Sequence, residues 1–156
     1  MTVAVIVAIL IVLVVPAVQS VQGRFERVRC IKNLQSLHVA ANLYVQEHQS
    51  WPQIDPSRPP EDVAKDWIDA LQPYGMTLPG WICPTVQRLL HSPDFTLPEN
   101  RRTDYSGFPF SPEPQRPFQY ATEPWFFEKN DVHSRGQLLI FRDGHVQTLS
   151  ELIPKK

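Results

Sequence analysis

Two cysteines, Cys30 and Cys83, are the strongest potential nucleophiles and soft metal ligands in this 156-residue chain. A pair of thiols can form a disulfide, share a metal ion, or sit apart as small buried hydrophobes. His133, Asp143 and His145 form a second group, two imidazoles and a carboxylate within thirteen residues. Such a set suits zinc chemically, but its spacing matches no defined zinc site. Each member also has a plainer reading. Asp143 belongs to a turn, His145 to an exposed strand position, and His133 to a loop in which it hydrogen-bonds backbone groups. Dense runs of Asp and Asn of the kind that wrap calcium are absent. The sequence also lacks a phosphate-cradling glycine loop, a nucleophile elbow and a His-Glu-x-x-His helix. No residue is therefore assigned as catalytic, none as a metal ligand, and the chain is read as a non-enzyme. Trp51, Trp67, Trp81 and Trp125 could line a ligand cleft. Anchoring irregular loops onto a small core accounts for them more simply.

These groups must be positioned by elements, and the first is the N-terminal helix. Val3, Val5, Ile6, Val7, Ile9, Leu10, Ile11, Val12, Leu13, Val14 and Val15 form an apolar run, and no charged side chain precedes Arg24. Eighteen helical residues span roughly 27 Å, slightly short of the ~30 Å hydrocarbon core. A permanent anchor, a cleaved secretory signal and a core helix are the three readings. The core helix is disfavoured because it would expose half of an all-apolar segment, and the signal because a positive n-region is missing. The anchor is preferred, over residues 1–20. Arg24, Arg27, Arg29 and Lys32 would by the positive-inside tendency lie in the cytoplasm, whereas the cysteines argue for the opposite side.

An amphipathic continuation is expected over residues 21–49. Phe25, Val28, Ile31, Leu34, Leu37, Ala41, Tyr44 and His48 recur at spacings of three and four, as on one helical face. Ser50-Trp51-Pro52 ends the helix, because a residue before proline is pushed out of the helical region. Pro16 predicts a kink or local unwinding. The rest, residues 50–156, is a head. Fourteen of the sixteen prolines lie in residues 52–124. That stretch holds one short helix marked by Val63, Trp67, Ile68 and Leu71, a tucked loop or edge strand at Trp81-Ile82-Cys83-Pro84, and packed irregular loops with one strand over 118–122. At the end, residues 137–141 and 145–149 flank Arg142-Asp143-Gly144, a strong hairpin signal. A two-residue Asp143-Gly144 loop would place Phe141 opposite Val146 and Leu139 opposite Thr148. The fold class is α+β, a long helix packed on a small antiparallel sheet. With 15 basic against 16 acidic side chains, no broad cationic surface for nucleic acid exists.

Together these parts resemble a known family. Arg29-Cys30-Ile31-Lys32-Asn33-Leu34, then Ala41-Asn42-Leu43-Tyr44 and Trp51-Pro52, is similar to type IV pilins and type II secretion pseudopilins. The nearest type is that abundant in Planctomycetes and Verrucomicrobia, whose tail carries His, nine residues, then Asp-Gly. Here these are His133, Asp143 and Gly144, and Trp81-Ile82-Cys83-Pro84 fits the family's cysteine-proline element. Residues 85–130 match loosely, and the prepilin motif ahead of the apolar run is absent. The family's usual helix-proline position makes Pro16 imply about six further residues upstream of Met1. The resemblance implies a structural subunit of a pilus-like or pseudopilus-like filament, held in the inner membrane as a single-pass protein with a periplasmic head. Its partners would be other pilin-like subunits, the assembly machinery, the lipid bilayer and a prepilin peptidase. Calcium is possible by family analogy, with no other cofactor. In an extracytoplasmic head, Cys30 and Cys83 are favoured as a disulfide worth about 4 kcal/mol for so long a loop. The alternative is a non-polymerising anchored domain that binds a secreted protein or polysaccharide.

Overall fold

The structure is a computed structural model describing residues 2–90, 102–110, 123–133 and 136–153; in the first helix, side chains are described at 12, 14, 15, 18 and from 20 onward. That helix, α1, runs Thr2–His48 and continues through Pro16 without local unwinding. It ends as the sequence demands. Gln49 takes a left-handed conformation (φ 56°) and its N–H donates to the Val45 carbonyl at 2.9 Å, which caps the last turn before Trp51-Pro52.

The face of α1 that packs on the head is Glu26, Cys30, Leu34, Leu37, Ala41 and Val45, all buried. Spacings of three and four keep these on one stripe. The expected stripe is buried at Leu34, Leu37 and Ala41 and partly buried at Ile31 and Tyr44, but it fails at its ends, where Phe25 is 68% exposed and Val28 and His48 are also exposed. At the first end the reason is local. Glu26 is drawn inward by Arg88, whose Nε donates to Oε1 at 2.7 Å, and by the Thr85 hydroxyl, which donates to Oε2 at 2.9 Å. The hydrogen bond and charge of Arg88 outweigh burial and hold the Glu26 carboxyl below its usual range. A depressed native pKa means that this stability is present above the ordinary glutamate value and is lost as pH falls through the native one. Arg88→Gln is expected to flatten that acid limb in an unfolding-versus-pH series, and an unchanged slope would exclude Glu26 as its source.

Helix α2, Pro60–Leu71, buries Ala64, Trp67, Ile68 and Leu71 and carries Glu61 and Asp62 in its first turn. Its proline start and acidic first turn suit a helix N-terminus. Two 3₁₀ turns follow, Gln72–Tyr74 and Leu78–Trp81, and then α3, Pro84–Leu90. The Trp81-Ile82-Cys83-Pro84 segment is therefore a tucked link between helical turns and not a strand.

Among the described residues there are four strands, β1 Tyr105–Gly107, β2 Pro124–Glu128, β3 Leu138–Phe141 and β4 Val146–Thr148, in spatial order β1-β2-β3-β4, every neighbour antiparallel. A short helix α4, Leu149–Leu152, closes the described chain with a Thr148–Glu151 capping box. The strand expected over 118–122 lies outside the described residues. In the terminal hairpin the Asp143-Gly144 turn is present, but the register is Ile140 opposite Val146 and Leu138 opposite Thr148. This corrects the two-residue expectation by one position. Arg142-Asp143-Gly144 is a three-residue loop with Gly144 left-handed at φ 82°; the Phe141 N–H donates to the His145 carbonyl at 3.0 Å, and the Phe141 carbonyl accepts the Gly144 N–H at 2.9 Å.

The sheet packs against α1 and α2 through Phe126, Trp125, Leu138 and Ile140, with Trp51 and Trp67 between. All four tryptophans are core residues, as the simpler reading held. At Gly107 an added Cβ would fall onto the Trp67 ring, leaving no room on β1 for a side chain. Gly107→Ala is expected to cost about 1–3 kcal/mol in chemical denaturation, since overpacking forces the indole or the strand aside.

Candidate functional site

Cys30 comes to the centre of the head because it lies one turn before Leu34 on the buried stripe of α1. Cys83 is brought to it by the tucked link, which Asn33 secures by donating from Nδ2 to the Ile82 carbonyl at 2.9 Å. The Cys83 N–H donates in turn to Asp104 Oδ2 at 2.8 Å. Glu128 ends β2 and His133 lies five residues on, in the connection toward β3. Glu128 turns inward, where its Oε2 accepts the Leu138 N–H at 3.2 Å and its Oε1 lies 3.1 Å from His133 Nε2.

The four side chains meet. The sulfurs of Cys30 and Cys83 are 2.8 Å apart, and His133 Nε2 is 3.8 Å from the Cys83 sulfur. One donor atom from each of Cys30, Cys83, Glu128 and His133 falls within 4.8 Å of all the others. All four residues are buried, from Cys30 at 0% exposed to His133 at 8%. Among the described residues, this is the one group of three or more His, Cys, Asp or Glu side chains close enough to share an ion.

Burial and proximity set the protonation. The hydrogen bond from Cys30 stabilises the Cys83 thiolate, with smaller help from His133 and the Val86 N–H, and brings Cys83 down to about 6. The same bond, with burial, pushes Cys30 strongly up. Burial alone would depress His133, but its bonds to Cys83 and Glu128 outweigh that and raise it to about 9. Tyr105, hydrogen-bonded to Cys30, is raised by desolvation first and by the neighbouring negative groups second. The cluster is thus a polar knot of two sulfurs, an imidazole and a carboxyl group inside an apolar core. Both sulfurs are buried, and two facing thiols can cross-link or share an ion.

His133, Asp143 and His145 are not brought together. Asp143 and His145 pair with each other at the exposed tip of the terminal hairpin, where the Asp143 carboxylate also accepts the His145 N–H at 3.1 Å. That pairing lowers the Asp143 carboxyl. Gly144 shapes the turn beside His38, whose Nε2 contacts the Arg142 carbonyl at 2.6 Å. Glu128 was not anticipated from sequence. Its signal is a lone carboxylate ending the apolar run Pro-Trp-Phe-Phe-Glu, where a solvated strand end is the ordinary expectation.

No family model, curated protein or solved structure matches this chain. The class that the fold itself defines is a small α+β head built on one long helix. Among the described residues no helix is long and apolar enough to cross a membrane, and most side chains of the expected anchor, including Val3, Val5, Ile6, Val7, Ile9, Leu10, Ile11 and Leu13, lie outside the described set.

Proposed function

We propose that the chain is a structural, non-enzymatic subunit of a type IV pilus-like or type II secretion pseudopilus-like filament, stored in the inner membrane with its head on the extracytoplasmic side. The observation that carries this reading is where α1 leaves the head. Glu26 is its first buried residue, and the described positions before it are exposed, with Val12 at 70% and Val14, Val15, Val18, Val21 and Phe25 also uncovered. The described apolar side chains Val12, Val14, Val15, Val18, Val21 and Phe25 thus stand clear of the head and need cover. Lipid covers them before assembly, and the helices of identical subunits cover them in a head-to-tail polymer, which an open helical arrangement extends without limit. Phe25 and Val28 are exposed where α1 enters the head and form the first shared contact.

A photo-cross-linking amino acid placed at Phe25 in cells tests this. The expected product is a ladder of multiples of this chain, while the same group at buried Val45 gives monomer. Cross-links from position 25 to a different protein alone would replace the filament by an anchored binding domain.

A further inference from the structure

We propose that Cys30, Cys83, Glu128 and His133 form one metal centre that holds a zinc-class divalent cation through two sulfurs, an imidazole nitrogen and a carboxylate oxygen. Tetrahedral zinc, with bonds of about 2.0–2.3 Å, sets edges of roughly 3.5 Å between sulfur and nitrogen and 3.3 Å between nitrogen and oxygen. The corresponding distances are 3.8 Å from Cys83 to His133 and 3.1 Å from His133 to Glu128. The sulfurs, 2.8 Å apart, need to part by about 1 Å to reach the S–S edge of such a site, which small side-chain rotations supply. Thiolate and imidazole donors select zinc over calcium or magnesium, which take oxygen ligands.

A disulfide would use two of these four groups and explain nothing about the others. It would leave Glu128 and His133, with side chains 2% and 4% exposed, as an ion pair buried beside neutral sulfur that does nothing to offset its desolvation. The cation employs all four and balances the charge of two thiolates and a carboxylate to a net of minus one, its binding releasing the displaced protons to solvent. Outer contacts are in place as well. Tyr105 bonds to Cys30, the Val86 N–H to the Cys83 sulfur, and the Leu138 N–H to Glu128. An open groove of about 800 Å³ has His133, Thr85 and Arg88 in its wall and gives an ion a way in. The four ligands come from α1, the link before α3, the end of β2 and the loop beyond it, so one ion ties together the elements of a head poor in regular structure.

The test is elemental analysis and intact mass of the full chain, extracted in detergent without reductant or chelator. One zinc per chain at the fully reduced mass is expected, and Co²⁺ exchanged for it should show a thiolate-to-cobalt charge-transfer band. Glu128→Gln and His133→Ala should each weaken zinc binding by at least about tenfold, with His145→Ala unchanged. A metal-free chain two hydrogens lighter would show a Cys30–Cys83 disulfide in its place and overturn the proposal. So would zinc that persists undiminished in Cys83→Ser. The cobalt spectrum of the unaltered chain needs no variant to fold.

Discussion

Phe126→Ala is expected to remove about 3–5 kcal/mol, a large share of the roughly 5–15 kcal/mol by which such a domain is stable. Phe126 is completely buried at the middle of β2, with its ring 5.4 Å from Trp67 and 5.6 Å from Trp51. It is the side chain through which the sheet meets both α2 and the segment following α1. Truncation leaves a cavity lined by rigid indoles that cannot collapse, so the transfer and cavity costs add. The neighbouring Phe127 points to the other face, where its ring is 4.9 Å from Phe108 and it remains partly exposed. Phe127→Ala should therefore cost about 1 kcal/mol. Denaturant titration of both variants in detergent, followed by tryptophan fluorescence, reads the difference. Equal losses would mean that the assigned faces of β2 are wrong.

Asp104→Ala is expected to cost about 3 kcal/mol, for a different reason. Asp104 is 2% exposed and sits where three segments cross. Its carboxylate accepts the Cys83 N–H at 2.8 Å and Arg102 Nη2 at 3.2 Å, its N–H donates to the Trp81 carbonyl at 2.9 Å, and its carbonyl accepts the Lys129 N–H at 2.8 Å. Alanine keeps the backbone bonds but strands the buried Cys83 N–H, and an unpaired buried donor costs far more than the bond was worth. Asp104→Asn retains an acceptor and should lose much less. The pH dependence separates Asp104 from Glu26. Burial raises the Asp104 carboxyl above its ordinary value, so its contribution is fully present below the unfolded pKa and is lost as pH rises through the native one. Asp104→Asn should remove that loss, whereas Arg88→Gln removes a limb of opposite sign. A variant Asp104→Ala as stable as the parent would show that the crossing is held by backbone bonds alone.

Much of the frame was legible because local chemistry and tertiary packing agree there. From Leu34 to Val45 the apolar spacing of α1 is the packing face, and Trp67, Ile68 and Leu71 mark α2 for the same reason. The terminal hairpin follows from Asp143-Gly144, yet its register does not, since a two-residue turn and a three-residue loop with a left-handed glycine share the same dipeptide. Before Ile31 the stripe misleads. Phe25 and Val28 satisfy helical periodicity but are exposed, and the buried residue beside them is a glutamate whose partner, Arg88, lies 62 positions along the chain. Strand β2 and helix α3 are not legible in the sequence because proline and short length mask their patterns. The site was half visible. Cys30 and Cys83 do meet, and the company of His133 is Glu128 and the sulfurs instead of Asp143 and His145. No local rule pairs a strand-end carboxylate with a cysteine 98 positions earlier. Only the folded topology does so.

The filament account is tested most directly by mass spectrometry of the N-terminal peptide of the native protein extracted from membranes. The account predicts an N-methylated first residue ahead of an intact apolar segment, the mark of prepilin processing. An unmethylated N-terminus at Met1 would contradict it and leave an anchored binding domain, and one near Val21 would contradict the anchor as well.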